Sequence, residues 1–96
     1  MVARVIRFKG STQAVEEHQT RAYRDLLPAL EQMEGFRGLI FLGAPDREEA
    51  LALALWADEE AADASSEAAR ALREGMTEAG EEVASVERFE IMLFEV

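Results

Sequence analysis

Apolar and polar positions alternate through the first residues. Val2, Arg4, Ile6 and Phe8 fall on one side and Ala3, Val5 and Arg7 on the other, which predicts a short strand. Gly10, Ser11 and Thr12 break the alternation and offer an N-cap hydroxyl. From Thr12 to Met33 the period changes: Val15, Ala22, Leu26, Leu30 and Met33 recur within a sector of roughly 80°, the width of a core-facing helical stripe. Pro28 removes a backbone donor from this segment, so a kink or break is expected near Asp25–Leu27, and Gly35 closes the helix. Phe36–Gly43 reads as a second strand, Ala44–Glu48 as a turn around Pro45 and Asp46, and Ala50–Trp56 as a third strand antiparallel to the second. Asp58 is placed to cap a second helix, with Glu59 and Glu60 in its positive first turn. That helix is expected to reach Gly75 or Gly80 and to bury Ala61, Ser65, Ala68, Leu72 and Met76, with Arg70 and Arg73 opposite. A final strand over Val86–Val96 completes the order βαββαβ. The fold class that follows is α+β and ferredoxin-like, an antiparallel sheet with two helices on one face.

Such a sheet leaves its other face open, and a strand with one wet face should alternate apolar with polar residues. Leu39-Ile40-Phe41-Leu42, Ala50-Leu51-Ala52-Leu53-Ala54-Leu55-Trp56 and Ile91-Met92-Leu93-Phe94 do not alternate. Two helices cover one face only, and the natural cover for the second is another copy of the sheet. A homodimer through the sheet face is therefore expected. The competing reading is that the small Ala50, Ala52 and Ala54 tolerate exposure.

The chain has 96 residues, enough for one core, and a single domain over 1–96 is expected. Its formal charge is −10, from 20 acids against 10 bases, and from Asp58 onward the acids far outnumber Arg70, Arg73 and Arg88. Such a surface repels phosphate backbones and anionic lipid, so no nucleic-acid or membrane partner is expected. There is no cysteine, which rules out disulfides, thiolate nucleophiles and cysteine metal sites. A lone histidine with scattered acids makes no recognisable metal constellation. No apolar run approaches membrane-spanning length, and the opening MVARVIRFKG is unlike a signal peptide. A cytoplasmic location is the expectation.

Met1-Val2-Ala3-Arg4-Val5, Leu26-Leu27-Pro28-Ala29-Leu30, Gly35-Phe36-Arg37-Gly38, the segment Leu53–Ala61 and Val86-Glu87-Arg88-Phe89-Glu90 occur in an order and spacing that resemble the dimeric α/β-barrel superfamily, nearest to antibiotic-biosynthesis-monooxygenase-type domains. The resemblance spans nearly the whole chain. It implies two sheets facing each other across a dimer, with a pocket in each protomer between helices and sheet. Members of the superfamily oxygenate polycyclic aromatic substrates without metal or flavin, degrade haem, isomerise lactones, or have no known activity. Haem-degrading members carry a histidine and a tryptophan on the second helix; here that helix has neither. Oxygenases of this type use Tyr, Trp and Asn, and this sequence contains no asparagine.

The candidate catalytic residues are His18 and Tyr23, at opposite edges of the first helical stripe. His18, the sole histidine, is either a general base facing the pocket or a partly exposed helix-edge residue. Trp56, Arg4 and Ser65 are candidates for substrate binding. Trp56 either stacks on an aromatic ligand or packs at the mouth of the core. Arg4 and Arg7 lie on opposite faces of one strand, so at least one points inward, where a guanidinium needs a carboxylate or an anionic or enolate substrate. Ser65 sits on a helix face of small residues that either packs closely or walls a cavity. The expected function is that of a cofactor-independent monooxygenase-like protein acting on a small hydrophobic or aromatic molecule. The alternative is a non-catalytic small-molecule-binding or stress-associated homodimer of the same fold. Neither cofactor nor metal is expected.

Overall fold

The computed structural model describes residues 1–74 and 82–96. The elements run β1 (Val2–Lys9), α1 (Thr12–Arg21), a π-helical turn (Ala22–Leu26), α2 (Leu27–Glu31), β2 (Phe36–Ala44), a 3-10 turn (Pro45–Arg47), β3 (Glu49–Trp56), α3 (Glu59–Glu74) and β4 (Glu82–Glu90). The strands form one antiparallel sheet in the order β2-β3-β1-β4, the ferredoxin-like arrangement.

Local chemistry accounts for most of the boundaries. Ser11 Oγ accepts from the Ala14 N–H at 3.1 Å and caps α1, and Asp58 Oδ1 accepts from the Ala61 N–H at 2.8 Å and caps α3. Pro28 does not break the first helical path. The strain is absorbed one turn earlier, where the Leu27 N–H reaches Ala22 O across a π-turn, so the helix widens and continues. Gly35 ends that path with φ of +84°, and a Cβ there would collide with Ala61 Cβ on α3. It is a position that needs glycine both for its backbone and for its neighbour.

Two expectations from the sequence are corrected. The final strand lies at Glu82–Glu90 rather than Val86–Val96. Its register sets Glu90 opposite Val2, the first residue of β1, and past that point only the Ile91 N–H is bonded, to Met1 O at 2.9 Å. Met92, Leu93, Phe94 and Val96 therefore stand exposed. The fully buried positions of α3 are Ala62, Ser65 and Ala69; Ser65 is as expected, Ala61 and Leu72 pack partly buried against the core, and Ala68 is exposed. Ala61 is drawn to the helix edge, over Gly35. The expected end of this helix at Gly75 or Gly80, and the burial of Met76, lie outside the described residues.

The helix side of the sheet carries the core. Val2, Ala22, Leu26, Leu30, Ala54, Trp56 and Ala62 form one buried cluster, and Ile6, Phe8 and Ala52 form another, against which Phe41 and Val83 pack. Arg4 lies between the two on β1. The β3 run resolves into two unlike faces: Ala50, Ala52 and Ala54 are buried on the helix side, while Leu51, Leu53 and Leu55 point away from the helices. On that second face Leu53 lies opposite Val5 on one flank and Ile40 on the other.

Candidate functional site

Between the sheet and the first helical path lies a narrow cleft lined by Ile6, Phe8, Leu39 and Phe41 from the strands and by Ala22, Leu26 and Leu30 from above. Among the described residues, only His18, Arg4 and Arg73 bring polar chemistry to it. Its free volume is about 20 Å³, room for about one water and not for a ring.

His18 is only 2% exposed. Its ring sits 4.2 Å from that of Phe8 and 5.9 Å from that of Phe41, a three-ring cluster at one end of the cleft. Of the two readings of His18, the inward-facing one is what the structure shows. The helical phase places it one turn before Ala22, on the same buried face.

Arg4 is 4% exposed and holds to α3 through one nitrogen: Nη2 donates to Ala62 O at 2.7 Å, to Ser65 Oγ at 3.0 Å and to Ser66 Oγ at 3.2 Å. Its guanidinium lies 5.5 Å from the centre of the Trp56 ring, within cation–π range. Nη1 is buried with no partner among the described residues. The carboxylate that the sequence led us to expect beside an inward arginine is missing among the described residues; Arg7, on the open face, is the one that pairs, with Glu49. Burial first, and then the positive charges of Arg73 and Arg88, pull the Arg4 guanidinium down to about 10, against an upward pull from Asp63. Burial likewise lowers Arg73, a half-buried residue on the last turns of α3.

The remaining candidates separate. Ser65 is buried, and its role is to fix Arg4 rather than to wall the cleft. Trp56 is fully buried and packs edge-on against Phe36 at 5.5 Å, outside the cleft lining, with its Nε1–H unpartnered. Tyr23 is 76% exposed on the π-turn, so it does not line the cleft as expected. Arg73 is the residue that sequence reasoning placed on the wrong side. The spacing Ser65, Ala69, Arg73 carries it onto the buried face once the stripe is phased on Ala62.

A second, wider groove opens between α3 and β4, with a free volume of about 550 Å³. Ser66, Glu67, Arg70, Val86, Glu87 and Arg88 line it together with Arg4 and Arg73, the two residues it shares with the cleft. No grouping of His, Asp and Glu suited to a metal ion exists among the described residues. No described helix is long and apolar enough to cross a membrane.

No protein-family model matches the sequence, and no curated protein resembles it significantly. Solved structures do match. MhuD from Mycobacterium tuberculosis, a heme-degrader with two hemes bound in its active site, superimposes with a TM-score of 0.76 at 21% identity over 100% of both chains. SnoaB from Streptomyces nogalater, a cofactor-independent oxygenase, gives 0.69 at 17% identity over 97% of this chain and 94% of its own. The fold is that of antibiotic-biosynthesis-monooxygenase-type domains. A monooxygenase from the ActVA-Orf6 gene of Streptomyces coelicolor, in complex with nanaomycin D, shares this ABM-like fold with a TM-score of 0.69 at 13% identity over 99% of this chain and 90% of its own.

Proposed function

We propose that this ABM-like chain is a cofactor-independent oxygenase of small aromatic molecules, working as a homodimer. The observation that carries the reading is the cleft in which a buried histidine lies against two phenylalanine rings and the other described lining residues are apolar except Arg4 and Arg73. A cleft of this kind suits an aromatic substrate with an acidic C–H or O–H. His18 takes the proton, and exclusion of water keeps the resulting anion reactive toward oxygen. Oxidation of an activated methylene to a carbonyl balances without an outside reductant: one oxygen atom becomes the carbonyl, and the other leaves as water with the two hydrogens. Because the cleft's free volume is only about 20 Å³, entry of a ring requires the helical roof to move. The π-turn contributes Ala22 and Leu26 to that roof and is the irregular part of it.

The homodimer reading rests on the face turned away from the helices. There Leu51 and Leu53, both partly exposed, replace the alanines of the covered side, Leu42 and Phe89 are exposed, and Met92, Leu93, Phe94 and Val96 add further apolar surface. A second copy of the sheet is the cover that hides this area in both protomers at once.

The test is oxygen uptake by chelator-treated protein across a panel of small phenols, hydroquinones and activated methylene compounds. Uptake coupled to a product that carries a single labelled oxygen in place of two hydrogens is expected, with His18→Ala at least about tenfold slower while still folded. Uptake unchanged in His18→Ala removes the base role. Saturable ligand binding with no uptake favours the second reading, a non-catalytic ligand-binding or stress-associated homodimer.

A further inference from the structure

Arginine is the residue most often buried with a carboxylate, and this chain holds 20 acids for 10 bases. The acids are used where the α3–β4 groove meets solvent. Arg88 bonds Glu59 and Asp63, and Arg70 bonds Glu67 and Glu74. Deeper in, neither Arg4 nor Arg73 bonds a carboxylate among the described residues. The buried and half-buried positive charge without a carboxylate partner among the described residues thus lies where groove and apolar cleft meet.

Arg4 is also held still. Three acceptors on α3 fix Nη2, and the Trp56 ring lies beside the guanidinium plane. The unpartnered Nη1 therefore has a set position in a buried setting, where a hydrogen bond to an anion is stronger than in water. A guanidinium fixed by one nitrogen and open at the other is preorganised for an anionic oxygen.

We propose that Arg4 and Arg73 bind the head of an amphiphilic organic monoanion, an aromatic carboxylate, sulfonate or acidic phenol, whose ring enters the apolar cleft. The head reaches the pair through the 550 Å³ groove, while the ring widens the cleft beyond its resting 20 Å³. Arg70 and Arg88, also on the groove wall, are already paired with Glu67 and Glu74 and with Glu59 and Asp63, so only Arg4 and Arg73 are left there for an anion, which sets the class at a single charge. This inference rests on the reading of the cleft as a binding site and names the chemistry that the site selects.

A matched pair of fluorescent probes tests it: 1-anilinonaphthalene-8-sulfonate and N-phenyl-1-naphthylamine, which share one aromatic body and differ in the sulfonate. Energy transfer from Trp56, the single tryptophan and a neighbour of Arg4, reports on binding close to the site. The sulfonate is expected to bind tighter than the neutral probe. Arg4→Gln and Arg73→Gln should each weaken the sulfonate about tenfold or more and the neutral probe less than about twofold, as for loss of a hydrogen bond to a charged group. Arg73 lies near the end of α3, so its variant keeps the test intact should Arg4→Gln fail to fold, and far-UV circular dichroism checks both. Sulfonate binding that neither arginine variant alters overturns the proposal, as does equal affinity for the two probes, and both results leave the apolar cleft standing. Failure of both probes to bind the folded protein overturns the cleft reading as well.

Discussion

Replacing Arg4 with methionine isolates the energetic consequence of an arginine buried without a carboxylate. Two opposing quantities decide the outcome. The guanidinium is lowered to about 10, chiefly by burial, and at about 1.4 kcal/mol per tenfold this disfavours the charged folded form by on the order of 3 kcal/mol. Against it stand the Nη2 bonds to Ala62 O and Ser65 Oγ, worth about 1.5 kcal/mol each for a charged donor. The two nearly cancel. Substitution orphans nothing on α3, because Ala62 O still accepts from Ser65 Oγ at 2.8 Å and Ser66 Oγ at 3.0 Å. Methionine also fills most of the space. Urea unfolding followed by Trp56 fluorescence at fixed protein concentration should place Arg4→Met within about 1 kcal/mol of the wild type, or about 8 °C in Tm. Arg4→Ala should fall by about 2–4 kcal/mol, since it leaves a cavity as well.

The pH dependence has a definite sign. Below about 10 the group is charged in both states and its burial penalty is fully present; above that, the folded protein releases a proton that the unfolded chain keeps. Wild-type stability should therefore rise relative to Arg4→Met as the pH climbs past 10. A loss of about 3 kcal/mol or more in Arg4→Met at neutral pH would refute the reasoning, because it would make Arg4 a fully compensated structural group.

Other consequences are open to direct measurement. Leu53→Asp should convert a dimer into monomers in sedimentation velocity: about 1.5–3 kcal/mol lost on each of two copies weakens association by about 10² to 10⁴-fold. A wild-type protein that is monomeric at tens of micromolar would end the dimer reading before any variant is made. Gly35→Ala should destabilise by about 2 kcal/mol or more, combining a left-handed backbone with the collision against Ala61, as read from chemical denaturation. Asp58→Ala should remove the α3 cap and cost about 1 kcal/mol, and Asp58→Asn should restore most of it.

The strands and helix starts were legible because each depends on a few neighbouring residues. Ser11 and Asp58 cap where the sequence says they should, and β1 alternates as read. What escaped depends on partners distant in the chain. The end of β4 is set by where β1 stops offering pairs, which no local pattern within Val86–Val96 encodes. The fully buried line of α3 runs through Ala62, Ser65 and Ala69 against the sheet, and its next step carries Arg73 from the solvent side to the cleft. Pro28 was read correctly as a disturbance, but the π-turn that absorbs it lies upstream, at Ala22–Leu26.

The alanine and leucine faces of β3 explain why so few residues decide the chemistry. Ala50, Ala52 and Ala54 let the helices sit close, so the helix-side interior has little spare volume and whatever is polar within it must be held by a specific contact. His18 is held by aromatic rings, Ser65 by Ala62 O and Arg4 Nη2 by α3. Arg4 Nη1 and Trp56 Nε1 are the buried side-chain donors without a partner among the described residues. Trp56 Nε1 belongs to a ring already fixed by Phe36 and placed outside the cleft. Arg4 Nη1 belongs to a charged group at the junction of cleft and groove, where an unmet hydrogen bond weighs most on the folded state. An anionic oxygen supplied at that junction would satisfy the donor and the charge together. For that reason ligand-induced stabilisation should be lost in Arg4→Met even where its intrinsic stability is not.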